Sequence, residues 1–255
     1  MKVSFLGTGT SQGVPVIGCT CEVCSSIDYR DKRLRASILI ETNDSTFIID
    51  TGPDFRQQML RERVSKLDAV LFTHAHKDHT AGLDDIRSFN FLQKKDMPLF
   101  AEQIVLDQLK NEFSYIFAEK KYPGIPQVEV NPITTAPFDV LGTRVIPIRV
   151  MHYKLPVLGF RIGDFTYITD ANHISEEEKS KIKGSKVLVL NALQKTEHIS
   201  HFTLAQALAL MEELKPEKGY LTHISHRLGL HQEVSSELPE YVELAWDGLT
   251  FDLDL

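Results

Sequence analysis

Short runs of hydrophobic residues, separated by turn-forming residues, recur along the chain and predict β-strands. The runs are rich in Val, Ile, Leu and Phe and lack helical spacing, which favours strands over helices. The predicted strands cover residues 2–6, 36–41, 46–50, 69–72, 143–149, 157–162, 165–169, 186–191 and 218–221. Residues 243–253 carry a similar pattern and predict a last, hairpin-like pair of strands.

Hydrophobic residues at helical spacing predict helices between these strands. Over residues 204–214, leucine and methionine recur every three or four positions, and Thr203 precedes them as a candidate N-cap. Two further helices are predicted over residues 55–62 and 104–117. Closely spaced proline and glycine predict a loop over residues 120–126.

Strands alternate with helices in both halves of the chain, which predicts an α/β fold. We expect two sheets with helices on their outer faces, within one domain of residues 1–255. The composition, 42% hydrophobic and 25% charged, is ordinary for a globular protein. No apolar stretch reaches the ~20 residues of a membrane span, and the N-terminal run lacks the pattern of a signal peptide. We therefore expect a cytoplasmic protein without a membrane partner.

The net charge of −7 argues against a broadly basic surface for nucleic acid. It is compatible with a small phosphorylated substrate that metal ions hold. The glycine-rich stretch 7–13 departs from the dinucleotide fingerprint, because its third glycine comes one place late and no helix start follows. We interpret this stretch as a turn that lets the backbone pass close to a functional site.

The strongest chemical signal is the heptapeptide THAHKDH at residues 73–79, directly after the predicted strand 69–72. Neutral imidazole and carboxylate are the usual ligands of zinc and related divalent ions. We interpret the heptapeptide as a metal-binding loop at the end of a strand. Its candidate ligands are His74, His76, Asp78 and His79.

Three cysteines stand in C-x-C-x-x-C spacing at Cys19, Cys21 and Cys24. Thiolates at this spacing suit a soft, tetrahedral metal such as zinc, and a histidine from elsewhere must then be the fourth ligand. The alternatives are three free thiols in a loop or a redox pair, since a cytoplasmic chain seldom keeps a disulfide.

Taken together, these motifs resemble the metallo-β-lactamase superfamily, and its phosphodiesterase branch in particular. The opening FLGTGTSQGVP at 5–15, the FIIDTG at 47–52 and the heptapeptide at 73–79 occur in the family's order. That branch holds the tRNA 3′-processing endonuclease RNase Z and the PhnP-like phosphoribosyl cyclic phosphodiesterases. The resemblance implies an αββα sandwich, two mixed β-sheets flanked by helices, with metal ions at one edge.

The resemblance also implies the remaining ligands, because the segments around His152, Asp170 and His223 match the family's later motifs. The first ion would be held by His74, His76 and His152. The second ion would be held by Asp78, His79 and His223. Asp170 and a hydroxide would lie between the two ions, which could be zinc or manganese. Asp50 would lie behind the metals and hydrogen-bond their ligands.

The H-x-T-x-x-Q-A pattern at His201 also resembles the phosphodiesterase branch, in which this histidine lies near the scissile phosphate. It implies that His201 protonates the leaving oxygen, a role suited to imidazole. Asp78, beside the hydroxide, would orient it or take a proton. We interpret His198 and His173 as loop histidines.

PhnP-like proteins carry a structural zinc site of three cysteines and one histidine. The place of that histidine matches His226 in this chain, with His231 as the alternative. The resemblance thus implies one structural zinc on Cys19, Cys21, Cys24 and His226.

The leading hypothesis is a phosphodiesterase that acts on a small or cyclic phosphate diester, such as a phosphoribosyl cyclic phosphate, by attack of the metal-bridging hydroxide. One alternative is an RNase Z-like tRNA 3′-endonuclease. Another is a non-hydrolytic metal-binding or redox member of the superfamily. The expected partner is a small phosphodiester substrate, and the sequence leaves a homodimer open.

Overall fold

Two β-sheets pack face to face with helices on both outer faces, as predicted. The computed structural model describes residues 1–43, 45–119 and 122–253. In chain order, its strands are β1 (Lys2–Gly7), β2 (Ser37–Glu41), β3 (Thr46–Ile49), β4 (Ala69–Leu71), β5 (Met97–Glu102), β6 (Val128–Ile133), β7 (Phe138–Val140), β8 (Thr143–His152), β9 (Leu155–Ile162), β10 (Phe165–Tyr167), β11 (His173–Ile174), β12 (Val187–Asn191), β13 (Lys218–Thr222), β14 (Val242–Leu244) and β15 (Thr250–Asp252). Its helices are α1 (Glu22–Ser25), α2 (Phe55–Arg61), α3 (Lys77–Thr80), α4 (Arg87–Gln93), α5 (Gln103–Glu112), α6 (Ser114–Phe117), α7 (Glu176–Ile182), α8 (Leu204–Leu214) and α9 (His231–Glu237).

Both sheets are mixed and follow a similar plan. The first has the strand order β15-β1-β2-β3-β4-β5-β6, and the second has the order β11-β8-β9-β10-β12-β13-β14, with β7 paired to β8. In the first sheet β1, β2 and β3 are antiparallel neighbours, whereas β3 to β6 run parallel. In the second sheet β8, β9 and β10 are antiparallel, whereas β10, β12, β13 and β14 run parallel. The carboxyl ends of each parallel set therefore lie along one edge of its sheet.

Hydrophobic side chains fill the space between the sheets and under each helical layer. The central cluster combines Phe5 and Ile49 of the first sheet with Phe160 and Tyr167 of the second. A second cluster lies under α2, α4 and α5, and a third lies under α7, α8 and α9. Because the inner strands are covered on both faces, their sequences are nearly continuous apolar runs.

The prediction for residues 204–214 is confirmed, because α8 has these bounds and Thr203 caps it. The Gln206 backbone N–H donates to Thr203 Oγ1 over 3.2 Å, and the Thr203 N–H donates to Gln206 Oε1 over 2.9 Å. These two bonds form a capping box, which satisfies free N–H groups at the helix start.

The single helix predicted over 104–117 is wrong, because the chain breaks at Phe113 into α5 and α6. The φ and ψ angles of Phe113, −113° and 43°, lie outside the α-helical region. Beside this break, Lys77 Nζ lies 2.6 Å from a Glu112 carboxylate oxygen and 5.7 Å from the centre of the Phe113 ring. The end of α5 is thus tied to the metal-binding heptapeptide by contacts that are distant in sequence.

The hairpin predicted over residues 243–253 is also wrong. Strand β14 pairs in parallel with β13 in the second sheet, whereas β15 pairs antiparallel with β1 in the first. The residues between them cross from one sheet to the other. In the predicted loop 120–126, residues 120 and 121 lie outside the described residues, and 122–126 form neither helix nor strand. None of the described helices could span a membrane.

Candidate metal sites

The predicted site residues gather where strands of both sheets end. Asp50 follows β3, and the heptapeptide 73–79 follows β4 in the first sheet. In the second sheet His152 ends β8, Asp170 comes shortly after β10, and His223 follows β13. The layered fold thus brings side chains from distant parts of the sequence to one place.

Three of these residues adopt a left-handed backbone conformation that non-glycine residues rarely use. The φ angles are 66° at Asp50, 53° at Asp170 and 55° at His223. Such a conformation costs of the order of 1–3 kcal/mol per residue and persists only where the surroundings impose it. Backbone strain is therefore concentrated at the strand ends that carry the candidate site.

The heptapeptide lies only partly in a loop, which corrects the sequence interpretation. His74 and His76 precede α3, whereas Asp78 and His79 belong to that helix. Gly52 allows α3 to pack closely, because a Cβ atom at this position would lie 2.2 Å from the backbone oxygen of Asp78. The glycine of the FIIDTG motif thus helps to position the candidate ligands.

The three predicted ligands of the second ion and the predicted bridging residue, Asp170, form a tight group. The ligand atoms of Asp78, His79, Asp170 and His223 all lie within 4.8 Å of one another. His79 Nε2 lies 3.1 Å from Asp78 Oδ2 and 3.1 Å from Asp170 Oδ2. His223 Nε2 lies 3.2 Å from Asp170 Oδ1. Neither Nε2 has a hydrogen-bond partner among the described residues, although both are buried. Unpartnered buried nitrogens that face carboxylates fit a metal ion between them.

The charges of the group also favour the binding of a cation. Burial opposes a charge on His79, but the carboxylates of Asp170, Asp78 and Asp50 raise the pKa of this imidazole well above its usual value. Burial likewise opposes ionisation of Asp170, but His223 and His79 hold its pKa well below the ordinary range. The buried carboxylates thus draw positive charge to the point where a divalent ion would bind.

Hydrogen bonds behind the group fix which imidazole nitrogen faces it. Asp50 accepts hydrogen bonds from the Thr73 N–H (2.9 Å), from Thr73 Oγ1 (2.8 Å) and from His79 Nδ1 (2.7 Å). His152 Nδ1 donates to the Ser200 backbone oxygen over 2.9 Å. In both histidines Nε2 is therefore left free for a metal. Asp50 thus lies behind the candidate ligands and hydrogen-bonds one of them, His79.

The predicted ligands of the first ion are together but less tightly arranged. The ring centres of His74 and His76 are 4.6 Å apart, and that of His152 lies 5.2 Å from His76 and 5.9 Å from His74. His74 Nε2 is buried without a hydrogen-bond partner in the described part of the chain. The tight metal-compatible group on this side, however, consists of His152, Asp170 and His201. Asp170 is shared by both tight groups.

His201 lies inside the site. Its Nε2 is 3.2 Å from Asp170 Oδ1, and its ring stacks on His223 at 4.9 Å. Its Nδ1 lies 3.1 Å from His198 Nδ1 and 3.0 Å from Ser200 Oγ. Burial lowers the pKa of His201 to about 4, although Asp170 acts in the opposite direction. The imidazole is therefore neutral at pH 7.

Sequence reasoning missed Thr73 and Ser200, which support the candidate ligands through hydrogen bonds. Ser200 orients His152 through its backbone oxygen, so no side-chain motif could have revealed this contact. Thr73 stands beside His74 in the heptapeptide, but its contact with Asp50 depends on the neighbouring strand. His173 lies in β11 and belongs to no metal-compatible group among the described residues.

A second group lies beside the first, in the cysteine loop. His226 Nδ1 is 3.3 Å from Cys19 Sγ, 3.4 Å from Cys21 Sγ and 3.5 Å from Cys24 Sγ. A tetrahedral zinc with ordinary bond lengths would place sulfur and nitrogen about 3.5 Å apart. The cysteine loop and His226 thus have the spacing of a closed zinc site.

The structure brings His226, not His231, to the sulfurs, because His231 Nδ1 accepts a hydrogen bond from Arg33 over 3.1 Å. A hydrogen bond from the Cys24 N–H, followed by one with His226, lowers the pKa of Cys21 to about 6. Burial raises the pKa of Cys24 to about 11. One thiolate is therefore available at neutral pH, and a metal would have to displace the proton of Cys24.

Comparison with known families and proteins agrees with this geometry. The family model for the beta-lactamase superfamily domain matches residues 45–224. An octanoyltransferase from Porphyromonas gingivalis (strain ATCC BAA-308 / W83) is 41% identical over all of this chain. The chain spans about half or less of the curated relatives it matches: 52% of that protein and 34% of a coenzyme PQQ synthesis protein B from Methylobacterium radiotolerans.

Solved structures are similar to this chain as well. A structure described as a new diphosphatase from the PhnP family is 39% identical, with a TM-score of 0.93 over 100% of this chain and 98% of that one. Zn(2+)-bound PqqB from Methylobacterium extorquens has a TM-score of 0.81 at 19% identity, over 99% of this chain and 100% of its own. Human tRNase Z, short form, has a TM-score of 0.74 at 18% identity, and each chain is covered completely. The last two likenesses establish the fold alone.

Proposed function

This chain belongs to the β-lactamase superfamily, and we propose that it is a metal-dependent phosphodiesterase acting on a small or cyclic phosphate diester. The observation that carries the proposal is the position of Asp170, which belongs to two tight groups of histidines and carboxylates at once. A shared carboxylate between two sets of imidazoles suits a pair of divalent ions. The 39% identity to a PhnP-family diphosphatase over the whole chain supports a phosphorylated compound as the substrate.

The residues fit two ions, zinc or manganese. Asp78, His79 and His223 would hold one ion, and His74, His76 and His152 would hold the other, with Asp170 between them. Such ions supply an activated water at neutral pH and neutralise charge on the phosphoryl oxygens. The buried nitrogens without partners at His74, His79 and His223 are the local evidence for this fit.

The chain's own residues would then orient the reactants and move protons. Asp50 holds His79 by its Nδ1–H and so keeps the ring in place. Asp78 lies at the rim of the same group, where it can orient the attacking water. His201 Nε2 lies 3.2 Å from Asp170 Oδ1, so His201 would lie beside a phosphate held by ions at Asp170 and could protonate the leaving oxygen. Burial lowers the pKa of His201 to about 4 and Asp170 acts in the opposite direction, and the negative charge of a bound phosphate would favour the protonated imidazole further.

We further propose that Cys19, Cys21, Cys24 and His226 hold one structural zinc. Four protein ligands would leave no open position for water or substrate, which distinguishes a structural site from a catalytic one. The zinc would clamp the cysteine loop to the loop that carries His223, since His226 lies three residues after His223.

The alternatives have less support. The likeness to human tRNase Z is one of fold alone, and the net charge of −7 opposes a tRNA-binding surface. The name octanoyltransferase belongs to a protein about twice as long as this chain, so it assigns no activity to the half that aligns here. A non-hydrolytic role would leave His201 without a function beside Asp170.

The first prediction tests the proposal directly. Protein loaded with zinc or manganese should hydrolyse bis(p-nitrophenyl) phosphate, and a chelator should abolish the release of nitrophenolate. Parallel assays with a cyclic phosphate and with a precursor tRNA separate the small-diester proposal from the endonuclease alternative. The absence of diester turnover by fully metallated protein would refute the proposal.

A further inference from the structure

A cavity of about 250 Å³ lies between the two candidate metal sites. His201 lines it on the side of the dinuclear site, and His226 and Arg227 line it on the side of the cysteine loop. Ser11 and Gln12 of the glycine-rich turn close a third side. The cavity is smaller than the ~300–1,000 Å³ of a pocket for a drug-sized ligand, so it suits one compact part of a substrate.

The cavity has an unbalanced positive charge. Arg227 is exposed, and its guanidinium makes no hydrogen bond or ion pair with any residue of the described ranges. Only its backbone is anchored, because the Arg227 N–H donates to Ser225 Oγ over 3.2 Å. No Asp or Glu is among the described residues that line the cavity, although the chain as a whole has a net charge of −7. An arginine left unpaired in an acidic protein is available to bind an anion from outside.

The other lining groups suit an anion as well. Ser11 and Gln12 carry hydroxyl and amide donors, and His198 can donate from its ring. Arg227 and His198 line the same cavity, and the charge of Arg227 contributes to the lowered pKa of that imidazole after burial and the effect of His152. The cavity thus contains one permanent positive charge, that of Arg227, surrounded by neutral hydrogen-bond donors.

We propose that Arg227 is a specificity-determining residue that binds a second anionic group of the substrate, a phosphate or a carboxylate on the alcohol portion of the diester. This inference rests on the proposed phosphodiesterase function. A diester held by the ions that Asp170 would share would lie next to His201, because His201 Nε2 is 3.2 Å from Asp170 Oδ1, and His201 lines the cavity that holds Arg227. The end of the substrate away from the scissile bond would therefore enter the cavity.

The test compares three diesters that differ only at one position: ribose 1,2-cyclic phosphate, its 5-phosphate and the corresponding 5-carboxylate. Wild-type protein should prefer the two diesters that carry a second anionic group. Arg227→Met should lower kcat/KM for the preferred one by about 10- to 100-fold, mainly by raising KM, because the lost charge-assisted contact stabilises the bound substrate and the transition state alike. The same change should leave hydrolysis of the diester without a second anionic group, and of bis(p-nitrophenyl) phosphate, within about two-fold. Of the two substrates with a second anionic group, the one that shows the larger loss identifies the preferred anion.

Arg144→Met is the matched control. It removes the same charge from an exposed position at the other end of β8, roughly 26 Å along the strand from His152. An equal loss in this variant would show general electrostatic attraction and overturn the proposal. Equal effects of Arg227→Met on diesters with and without a second anionic group would overturn it as well.

Binding of ribose 5-phosphate, measured by calorimetry against ribose, tests Arg227 without catalysis. Wild-type holoenzyme should bind the phosphate more tightly than Arg227→Met does, and equal affinities would overturn the proposal. If no diester is hydrolysed but this difference in affinity is present, the phosphodiesterase function has failed and the anion site has not.

Discussion

Asp170 is the residue on which both groups of candidate ligands converge, and its importance can be measured against that of Asp50. Asp170→Ala removes a carboxylate from both groups, whereas Asp50→Asn removes a charge beside His79 and changes the hydrogen bonds to Thr73 and His79 but takes no member from either group. We expect the second change to cost about 10- to 100-fold in kcat/KM and the first to cost more, with loss of bound metal. Comparable losses, with metal content unchanged in both variants, would contradict the shared-ligand interpretation.

The role of His201 as a general acid can be tested with substrates that differ in their leaving groups. A general acid typically contributes ~10²–10⁴-fold, but nitrophenolate departs without a proton. His201→Ala should therefore slow the opening of ribose 1,2-cyclic phosphate far more than the hydrolysis of bis(p-nitrophenyl) phosphate. The neighbouring His198→Ala, whose ring is more exposed, serves as the control. Equal losses on both substrates would leave His201 a role in phosphate binding only.

For single residues, the sequence indicated which side chains carry the chemistry but not which of them are in contact. The spacing of His74, His76, Asp78 and His79 was enough to predict a metal site, because neighbours in sequence are neighbours in space. The approach of His201 to Asp170 followed only from the family resemblance and not from spacing, since it joins a loop to the end of another strand. The left-handed backbone of Asp170 and His223 has only a weak signal in residue identity, because aspartate and histidine are moderately enriched in this conformation and neither is glycine.

The cysteine loop is an element whose order should depend on its metal. Fully metallated protein should contain about three ions per chain, two in the dinuclear site and one on the cysteines. Cys21→Ser should lower this number by one and lower the melting temperature, because a structural zinc contributes to folding. His76→Ala should instead affect turnover more than stability. Metal analysis and thermal melting distinguish these outcomes, and an unchanged metal content in Cys21→Ser would exclude zinc there.

Local signals predicted the capped helix α8 and many of the buried strands, but they did not predict β5 and β6 of the first sheet. Thr203 and the spacing of leucines defined α8 correctly, because both signals are local. The hairpin over 243–253 failed, because β14 and β15 each pair with a strand from elsewhere in the chain. The break between α5 and α6 at Phe113 was not visible in the hydrophobic periodicity either. Strands that are distant in sequence decide the pairing of β14 and β15, and hydrophobic periodicity does not contain this information.

At the scale of the whole molecule, the two sheets explain why the site exists. Each sheet contributes strand ends, and only their face-to-face packing brings His79 of the first half within 3.1 Å of Asp170 of the second. The αββα arrangement was predictable from the family resemblance rather than from periodicity, which gave the elements but not their pairing. The chain between β14 and β15 then returns to the first sheet and ties the halves together.

Arg33 makes a further connection across the molecule, and it leads to a pH-dependent stability. This buried guanidinium donates to Thr8 Oγ1 (2.8 Å), to the Ala245 backbone oxygen (2.6 Å) and to His231 Nδ1 (3.1 Å). Arginine can only donate, so His231 must be neutral with a bare Nδ1. Burial, and then the charge of Arg33, lower the pKa of His231 to about 4.

In the unfolded chain the pKa of His231 would be about 6.5, so the unfolded state binds a proton first as the pH falls. The stability linked to this histidine is therefore complete above pH ~6.5 and is lost towards pH ~4, by an amount on the order of 3 kcal/mol. His231→Gln retains an oxygen that can accept from Arg33 but cannot titrate in this range. Urea unfolding should thus show a steeper loss in wild-type protein than in the variant over this interval. Trp246, the single tryptophan, lies 5.8 Å from the His231 ring and provides the fluorescence signal. Parallel stability curves for the two proteins would show that Arg33 does not hold His231 in its neutral form.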